Sequence, residues 1–338
     1  MSPSYRAYGL EVHSLTPIEL LQISPVPGES CDLQIEQGPE PEWVRDLLSL
    51  PAKILKSRQE PPEGAEPSLI LKQHGEALGF ELAYSDGIRF VTDGPATRLW
   101  ATCQPPATPG VMQVCLVGPV MGFVLRRRGV TSLHSSCVEF RERAICFCGE
   151  AGFGKSTTAA ALALRGLPVL AEDVVPLQES GGQFLAIPGY PRVCLWPESV
   201  QMLLGREDAL PLITEGWEKR YLALDGRQAS FAAERRQLGL VYVFAPRVDD
   251  ASAPRIDAFE PREAALELIR NTYMNWLLDR RQRAEEFDTL CRLVERVPIR
   301  RIVPHAQPEK ISELCDLILR DAEIHLDSIP NTSRSLHP

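Results

Sequence analysis

The chain carries the stretch Gly149-Glu-Ala-Gly-Phe-Gly-Lys-Ser156, which has the GxxxxGKS spacing of a phosphate-binding loop. An apolar run, Ala144 to Cys148, precedes it, and an alanine-rich run, Thr157 to Arg165, follows it. The first run has the composition of a short buried strand. The second consists mostly of good helix formers, and Gly166 is placed as its C-terminal stop. Strand, loop and helix come in the required order, so we predict that the chain binds a nucleoside triphosphate.

The chemistry of the motif gives its residues separate tasks. Its glycines let the backbone curl so that N–H groups and the helix N-terminus point at phosphate oxygens. Lys155 is expected to reach the β- and γ-phosphates of ATP, and the hydroxyl of Ser156 is expected to bind Mg²⁺. The predicted nucleotide contacts are Gly149, Glu150, Ala151, Gly152, Phe153, Gly154, Lys155, Ser156 and Thr157.

Two carboxylates follow the motif after a short crossover. The apolar run from Pro168 to Ala171 is a predicted strand that ends at Glu172 and Asp173. A parallel return would place the carboxyl end of this strand on the edge of the sheet that carries the phosphates. Because successive strand residues point to opposite sides, one carboxylate is expected to hold metal-bound water and the other to accept a proton from an attacking hydroxyl. The alternative interpretation is that Glu172 and Asp173 form a solvated acidic turn at the end of the strand.

A histidine precedes the motif, near the start of the strand expected to pair with the strand before the loop. From this position His134 could approach the phosphates, although a single histidine is more often structural. The predicted catalytic residues are Glu172, Asp173, His134 and Lys155, and the predicted Mg²⁺ ligands are Ser156 and Asp173.

Composition restricts the class of protein. With 338 residues and 44% hydrophobic content the chain can form two domains with a core in each. A net charge of −9 argues against a nucleic-acid partner, because a phosphate backbone demands a basic face. Nine cysteines without a CxxC pair, several of them in apolar runs, are typical of reduced thiols. The start of the chain lacks the pattern of a signal peptide, and we expect a cytoplasmic protein.

One apolar stretch tests the expectation of no membrane association. The run Val111 to Leu125 is almost uncharged and is followed by three arginines, as at a membrane boundary. It is shorter than the about 20 residues that a spanning helix needs, and glycine and proline interrupt it. We therefore predict a buried helix.

The rest of the chain predicts an α/β protein with two domains. Residues 1–130 form a smaller, partly β amino-terminal domain. Proline- and acid-rich clusters in its first part, at 24–41 and 60–67, indicate a loosely ordered lead-in with short helices near Pro17 and from Glu42 to Leu50. Alternating residues on both sides of Asp86-Gly87 predict a small antiparallel meander. Residues 131–325 form the catalytic domain and residues 326–338 a flexible tail.

Within the catalytic domain, strands are expected at 133–140, 144–148, 167–171, 184–187, 240–245 and 298–303. Helical spacing continues from Pro261 through Tyr273 to Leu277, recurs from Phe287 to Leu293, and is expected again from Pro308 to Asp321, with the aromatic residues in the core. The run Ser180-Gly-Gly-Gln183 matches most of a transporter-ATPase signature, but its position favours a hairpin turn.

Several of these residues, with their spacing, resemble the catalytic domain of HPr kinase/phosphorylase, a bacterial serine kinase family whose fold is related to phosphoenolpyruvate carboxykinase. The resemblance implies a P-loop kinase domain of the HPr kinase / phosphoenolpyruvate carboxykinase type. Later segments are similar to a divergent branch that includes kinases of lasso-peptide gene clusters. The residues that carry the resemblance are His134, Cys137 to Glu139, Gly149 to Ser156, Arg165-Gly166, Leu170 to Val175, Pro188 to Pro191, Leu195 to Pro197 and Lys219 to Tyr221.

The resemblance also implies roles for individual residues. Lys155 and Ser156 match the phosphate and Mg²⁺ contacts, and His134 matches the histidine ahead of the loop. The family has an aspartate as general base at the position of Glu172, so the base is left open between Glu172 and Asp173. Thr157 departs from the glutamate that commonly follows the loop serine in HPr kinases proper, and phosphorolysis is not expected. The basic pair Lys219-Arg220 offers further candidate phosphate contacts.

The resulting expectation is an ATP-dependent kinase that uses Mg²⁺ to phosphorylate a serine hydroxyl on a small protein or peptide. Two alternatives stay open: a regulatory ATP-binding or ATPase protein without phosphotransfer, and a small-molecule phosphotransferase of carboxykinase type. Neither a nucleic-acid nor a membrane partner is expected, and a homo-oligomer is left open.

Overall fold

A computed structural model describes residues 3–21, 30–58, 69–215 and 217–327 of the chain. The chain forms two compact units. Unit 1 consists of Met1–Gly129 together with Ile213–Trp217, and unit 2 consists of Val130–Leu212 and Glu218–Pro338. Both units mix helices and strands, and each is built on a large sheet of eight strands, so the protein is of the mixed α/β class.

The sheet of unit 1 has the strand order β1-β2-β3-β8-β7-β6-β5-β4. β2–β3 and β3–β8 are parallel pairs, and the other neighbours are antiparallel. Its strands are β1 (Ser4–Ala7), β2 (Leu10–Ser14), β3 (Leu33–Gln37), β4 (Ala52–Arg58), β5 (Leu69–His74), β6 (Gly79–Tyr84), β7 (Ile88–Asp93) and β8 (Arg98–Cys103).

The prediction of a loosely ordered lead-in is wrong for those residues of the segment that the structure describes. β1 to β4 belong to the sheet, and helix α1 (Glu42–Leu48) packs Val44 and Leu47 into the core. Alternating burial along β2 and β3 explains why these segments form regular strands, because one face of each strand is covered. The cluster at 60–67 and the start of the cluster at 24–41 lie outside the described residues. The meander around Asp86-Gly87 is confirmed as β5 to β8, within a larger sheet than expected.

The apolar run of unit 1 is a helix that is longer than predicted, Pro109–Arg127. It consists of α2 (Pro109–Cys115), a π-helical segment (Leu116–Val120) and α3 (Met121–Arg127). The side chain of Thr108 caps its start, and the π-helical segment accommodates Pro119 without ending the helix. By length and composition this helix could cross a membrane, and 61% of its most apolar window is buried inside the protein.

The sheet of unit 2 has the order β10-β9-β12-β13-β16-β18-β17, with β11 on the edge of β9 and an additional pairing of β10 with β16. Its strands are β9 (Ser132–Phe140), β10 (Arg143–Cys148), β11 (Val169–Ala171), β12 (Val174–Ser180), β13 (Gln183–Ala186), β16 (Arg236–Phe244), β17 (Arg255–Ala258) and β18 (Ile299–Val303). A separate ribbon consists of β14 (Arg192–Leu195) and β15 (Arg220–Ala223).

Helices pack into two apolar clusters of unit 2. α4 (Lys155–Leu164) and α8 (Ile311–Asp327) contribute to one cluster, which also takes residues from α5 (Pro197–Leu204). α6 (Pro261–Arg270) and α7 (Arg280–Arg296) contribute to the other. Short 3₁₀ turns lie at Asn275–Leu277 and Pro308–Lys310.

Three parallel strands position the functional region. β10 pairs in parallel with β16, and β16 pairs in parallel with β18. Their carboxyl ends therefore lie on one edge of the sheet, where ligands of α/β proteins usually bind. The glycine-rich loop, residues 149–156, follows β10 at this edge.

Several element predictions are confirmed and some are wrong. The run Ser180-Gly-Gly-Gln183 is the turn of the β12–β13 hairpin, as predicted. The helix from Pro261 ends at Arg270 and does not continue to Leu277, because the chain leaves the helix at its C-cap, Asn271. Phe287 is half exposed and not in the core. The last helix continues to Asp327, beyond its predicted end, and residues 328–338 lie outside the described part.

Candidate active site

The glycine-rich loop depends on glycine at its first position. Gly149 has a φ of +139°, and a Cβ atom added there would lie 2.9 Å from the Cβ of Phe244. At the other end of the loop, Gly154 is the N-cap of α4 and provides no side-chain cap. The first N–H groups of a helix have no intrahelical partners, so those of α4 are available to an anion.

Lys155 is folded onto the loop that precedes it. Its Nζ donates to the carbonyl oxygens of Gly149 at 2.7 Å and Glu150 at 3.1 Å, and the residue is buried. Burial lowers the pKa of Lys155, and the negative charges of the nearby acids oppose this shift. The ammonium group is thus held within the loop, where it can neutralise phosphate oxygens.

Glu172 contacts Ser156, the motif residue that is predicted to bind Mg²⁺. The Ser156 hydroxyl donates to Oε1 of Glu172 at 2.8 Å, across the end of β11. Glu172 is buried, and desolvation together with the charge of Asp173 raises its pKa to about 7. A hydroxyl and a carboxylate oxygen at this distance are the hard ligands that Mg²⁺ takes.

Asp173 lies in the break between β11 and β12 and faces a different set of partners. Its φ is +68°, and its side chain is one-third exposed. Its Oδ1 lies 3.5 Å from Nδ1 of His134, and the hydroxyl of Tyr273 donates to its Oδ2 at 3.4 Å. The rings of His134 and Tyr273 stack with centroids 5.7 Å apart. Asp173 is therefore the more accessible of the two acids.

The predicted strand geometry accounts for this arrangement. β9 lies between β10 and β11 and is antiparallel to both, so β10 and β11 run in the same direction. Their carboxyl ends consequently reach the same edge, although the two strands are not neighbours. The structure thus brings together Lys155, Ser156, Glu172, Asp173 and His134, whereas Glu150, Ala151 and Gly152 are exposed on the loop.

Sequence reasoning missed two residues of the segment that follows α6. Asn271 accepts from the N–H of Gly149 with its side chain at 2.7 Å and from the N–H of His134 with its carbonyl at 2.7 Å. Tyr273, which was expected in a helix, contacts His134 and Asp173. The available signal was Asn271 itself, because asparagine is a poor residue for a helix interior. Sequence spacing could not indicate its partner.

The two residues of the candidate basic pair, Lys219 and Arg220, have different partners. Nζ of Lys219 lies 4.9 Å from the ring centroid of Trp196, and its charge acts on Glu172 to lower the pKa of that carboxyl, against the larger effect of burial. Arg220 instead donates to the carbonyl of Leu210 at 2.6 Å. Of these two residues, Lys219 is thus the one that acts electrostatically on the candidate site.

The first turn of α4 is also joined to α5. Oγ1 of Thr157 and Oγ of Ser199 lie 2.9 Å apart. Among the described residues, no group of three or more His, Cys, Asp and Glu side chains is placed to hold a metal ion. A divalent cation at Ser156 and Glu172 would therefore need further oxygens from a bound phosphate group.

No protein-family profile matches the chain, and no curated protein matches it. Among solved structures, the HPr(Ser) kinase/phosphatase from Coxiella burnetii is similar over 58% of this chain and 92% of its own chain, with 15% sequence identity and a TM-score of 0.31. A TM-score of this size supports no conclusion about activity or substrate.

Proposed function

We propose that the protein is an ATP-dependent kinase that phosphorylates a serine hydroxyl on a small protein or peptide in the cytoplasm. The observation that carries this proposal is the hydrogen bond from Ser156 to Glu172, with Asp173 next to Glu172 and open to solvent. This bond joins the motif that predicts nucleotide binding to a pair of acids, of which Asp173 is the one that an acceptor can reach. The resemblance to HPr kinase in these same residues supports it.

In this proposal the loop and Lys155 hold the triphosphate. The available N–H groups of α4 donate hydrogen bonds to phosphate oxygens, and Lys155 turns from the carbonyls of Gly149 and Glu150 toward the β- and γ-phosphates. Ser156 and Glu172 would hold Mg²⁺, which supplies charge neutralisation at the phosphates. The sequence expectation named Ser156 and Asp173 as the metal ligands, so this assignment keeps Ser156 and places Glu172 where Asp173 was expected.

Asp173 is the proposed general base. The serine oxygen forms a bond to the γ-phosphorus as the bond from that phosphorus to the β–γ bridging oxygen breaks, and ADP leaves with the electron pair. Asp173 accepts the serine proton, because its side chain is accessible while Glu172 is buried. His134 and Tyr273, which contact the two oxygens of Asp173, orient it.

A transfer assay with labelled ATP and a library of serine-containing peptides tests the proposal. We expect Mg²⁺-dependent labelling that Lys155→Ala lowers by about 100- to 1,000-fold, because one preorganised charge contact is lost. Lys53→Ala, at an exposed lysine of β4, serves as the matched control and should retain full activity.

Three outcomes would contradict the proposal. Transfer at full rate in Lys155→Ala would exclude this site. ATP binding and slow hydrolysis without labelling of any peptide would instead indicate a regulatory nucleotide-binding protein. Labelling of oxaloacetate or small hydroxyl compounds in place of peptides would indicate a carboxykinase-type reaction.

A further inference from the structure

A cleft of about 380 Å³ lies at the edge of the unit 2 sheet that is opposite the candidate active site. Ile299 and Arg300, at the start of β18, line the cleft, and so does Ala258 at the end of the antiparallel strand β17. Its other walls come from the first turn of α6, the last turn of α7 and the last turn of α8. The volume falls within the range of small-molecule sites, roughly 300–1,000 Å³.

The cleft is separate from the candidate active site. Between the two edges of the sheet, β18 runs the five residues from Ile299 to Val303, which corresponds to about 15 Å of strand. Lys155, Glu172 and Asp173 are not among the residues that line the cleft. A ligand bound there therefore lies away from the phosphates and the acceptor of the proposed kinase reaction.

One part of the lining is apolar. Phe259 is partly buried and packs against the apolar cluster that contains residues of α6 and α7. A ring or a short hydrocarbon chain of a ligand would lose contact with water against such a surface, and this loss is the main favourable contribution in most small-molecule sites. The apolar side chains of the lining include Phe259, Pro261, Val294 and Pro298.

Two arginines, Arg296 and Arg300, supply hydrogen-bond donors to the lining. A guanidinium group carries five N–H donors. Nη1 of Arg296 donates to Oε1 of Glu179 at 2.6 Å, and Nη2 of Arg300 donates to Oδ1 of Asp321 at 2.9 Å. Nε of Arg300 is buried and has no hydrogen-bond partner within the described part of the chain. Because buried polar groups nearly always have a partner, a ligand oxygen at Arg300 would supply a missing bond.

The charges around the cleft favour a ligand with a single negative charge. Glu179 also accepts from Arg292 at 2.8 Å, so two guanidinium groups share this carboxylate. However, Glu295 lines the cleft as well, and Asp321 already pairs with Arg300. The surplus of positive charge is therefore small, and a doubly charged phosphate would meet more repulsion than a monoanion. A planar carboxylate also matches the fork of a guanidinium group.

We propose that this cleft binds a small monocarboxylic acid with an apolar body. The carboxylate lies at Arg296 and Arg300, and the apolar body packs against Phe259, Val294 and Pro298. This proposal is independent of the proposed function, because every residue that it uses lies at the opposite edge of the sheet.

Titration of the whole chain with hydrocinnamate, followed by NMR of the probe, tests this proposal. Hydrocinnamate has a phenyl ring, a short hydrocarbon chain and one carboxylate. For a ligand of about eleven non-hydrogen atoms we expect a dissociation constant in the millimolar range. The neutral hydrocinnamyl alcohol should bind at least about tenfold more weakly, because it cannot form charge-assisted bonds to the arginines.

A matched pair of arginine variants locates the carboxylate. Arg296→Gln should raise the dissociation constant of hydrocinnamate by roughly tenfold or more, as for one lost charge-assisted hydrogen bond. Arg292→Gln is the control and should leave it unchanged, because Arg292 donates to the same Glu179 but does not line the cleft. Both variants lose one positive charge and one partner of Glu179, so a merely structural role of these arginines would give equal effects.

Ala258→Trp tests the space itself. Ala258 is exposed at the end of β17, which is the last strand of the sheet, so the fold can accommodate a larger side chain there. The indole should occupy part of the cleft and weaken hydrocinnamate binding by roughly tenfold or more. Ala251→Trp, at an exposed alanine in the turn before β17, is the control and should have no effect on binding.

The outcomes decide the proposal without involving the proposed function. Absence of hydrocinnamate binding, equal effects of the two arginine variants, or no effect of Ala258→Trp would overturn it. Binding of the alcohol as tight as that of hydrocinnamate would show that the arginines do not select the ligand, and would overturn it too. Displacement of hydrocinnamate by an equal concentration of inorganic phosphate would replace the carboxylate assignment with a phosphate site.

Discussion

Glu172 and Asp173 are neighbouring acids whose surroundings give them different chemistry. Glu172 is buried against Ser156, and its pKa is raised, whereas Asp173 is one-third exposed and contacts His134 and Tyr273. Two carboxyl groups with separated environments are what a site needs when one group holds a cation and the other accepts a proton. The difference arises because the chain turns through a left-handed conformation at Asp173.

The raised pKa of Glu172 makes the stability of the protein depend on pH. Burial raises the pKa from its usual 4.5 to about 7, so the folded state retains a proton that the unfolded state releases between these values. The free energy of unfolding therefore falls as the pH rises from about 4.5 to about 7. Glu172→Gln cannot lose a proton and keeps a hydrogen-bond acceptor for Ser156.

We accordingly expect Glu172→Gln to be more stable than the parent above about pH 7, with a difference that disappears toward about pH 4. Denaturant unfolding at several pH values measures this, and Glu142→Gln, at an exposed glutamate, is the control. A stability difference that is constant across the whole pH range would show that Glu172 does not titrate as described.

The segment that follows α6 acts as a connection among three elements. Asn271 joins the end of β10 to β9, since it accepts from the amides of Gly149 and His134. Its side-chain amide also donates to the carbonyl of Glu267 in α6 at 2.8 Å. Tyr273 then extends the connection to Asp173. A residue outside the motif thereby fixes where the glycine-rich loop begins.

Asn271→Ala should reduce both stability and nucleotide affinity. The N–H of Gly149 is buried and would lose its partner, which costs about 1–3 kcal/mol of unfolding free energy. The loop would also lose its anchor, so ATP should bind more weakly. Unfolding in denaturant and ATP titration measure the two effects.

Asn275→Ala provides the comparison for this prediction. Its Nδ2 donates to the carbonyl of Ile269 at 3.1 Å, and it makes the same kind of bond away from the loop. We expect a smaller loss of stability and unchanged ATP binding. If the two variants weaken ATP binding equally, the bond from Gly149 to Asn271 does not anchor the glycine-rich loop for ATP binding.

Across the whole protein, the candidate active site lies at one edge of the sheet of unit 2. The parallel strands β10, β16 and β18 end there, and the residues beyond their ends include the glycine-rich loop and Arg247, which lies against Gly154. Both cysteines of β10, Cys146 and Cys148, are buried. All nine cysteines are free thiols, and four of them, Cys137, Cys146, Cys148 and Cys315, are buried.

The buried thiols report on the intact fold. Burial raises the pKa of Cys148, and that of Cys315 to about 11, so neither forms the reactive thiolate at neutral pH. We expect Cys31, which is exposed, to react rapidly with a thiol reagent, and the four buried thiols to react only after denaturation. Counting reacted thiols in the native and denatured protein measures this, with Cys31→Ser as control. Rapid reaction of Cys146 or Cys148 in the native protein would contradict the strand assignments.

Much of the fold was predictable from local pattern. The strand before the loop, the alanine-rich helix and the strand that precedes Glu172 lie within one short stretch, so their hydrophobic periodicity and glycine placement indicated them directly. The hairpin at Ser180 to Gln183 was readable for the same reason. By contrast, the formation of β3 and β4 depends on pairing with strands that come later in the chain. The proline-rich composition of this region favoured a loosely ordered segment, and that prediction was wrong.

Local sequence therefore determined which residues form the candidate site, because the loop, Lys155, Ser156 and the two acids belong to one strand–loop–helix–strand unit whose spacing constrains their geometry. Three-dimensional packing settled what no spacing encodes: that Ser156 contacts Glu172, and that Asn271, Tyr273 and Arg247 reach this unit from distant segments. Those contacts exist only because strands that are remote in the chain pair side by side, and pairing of that kind depends on burial across the whole sheet.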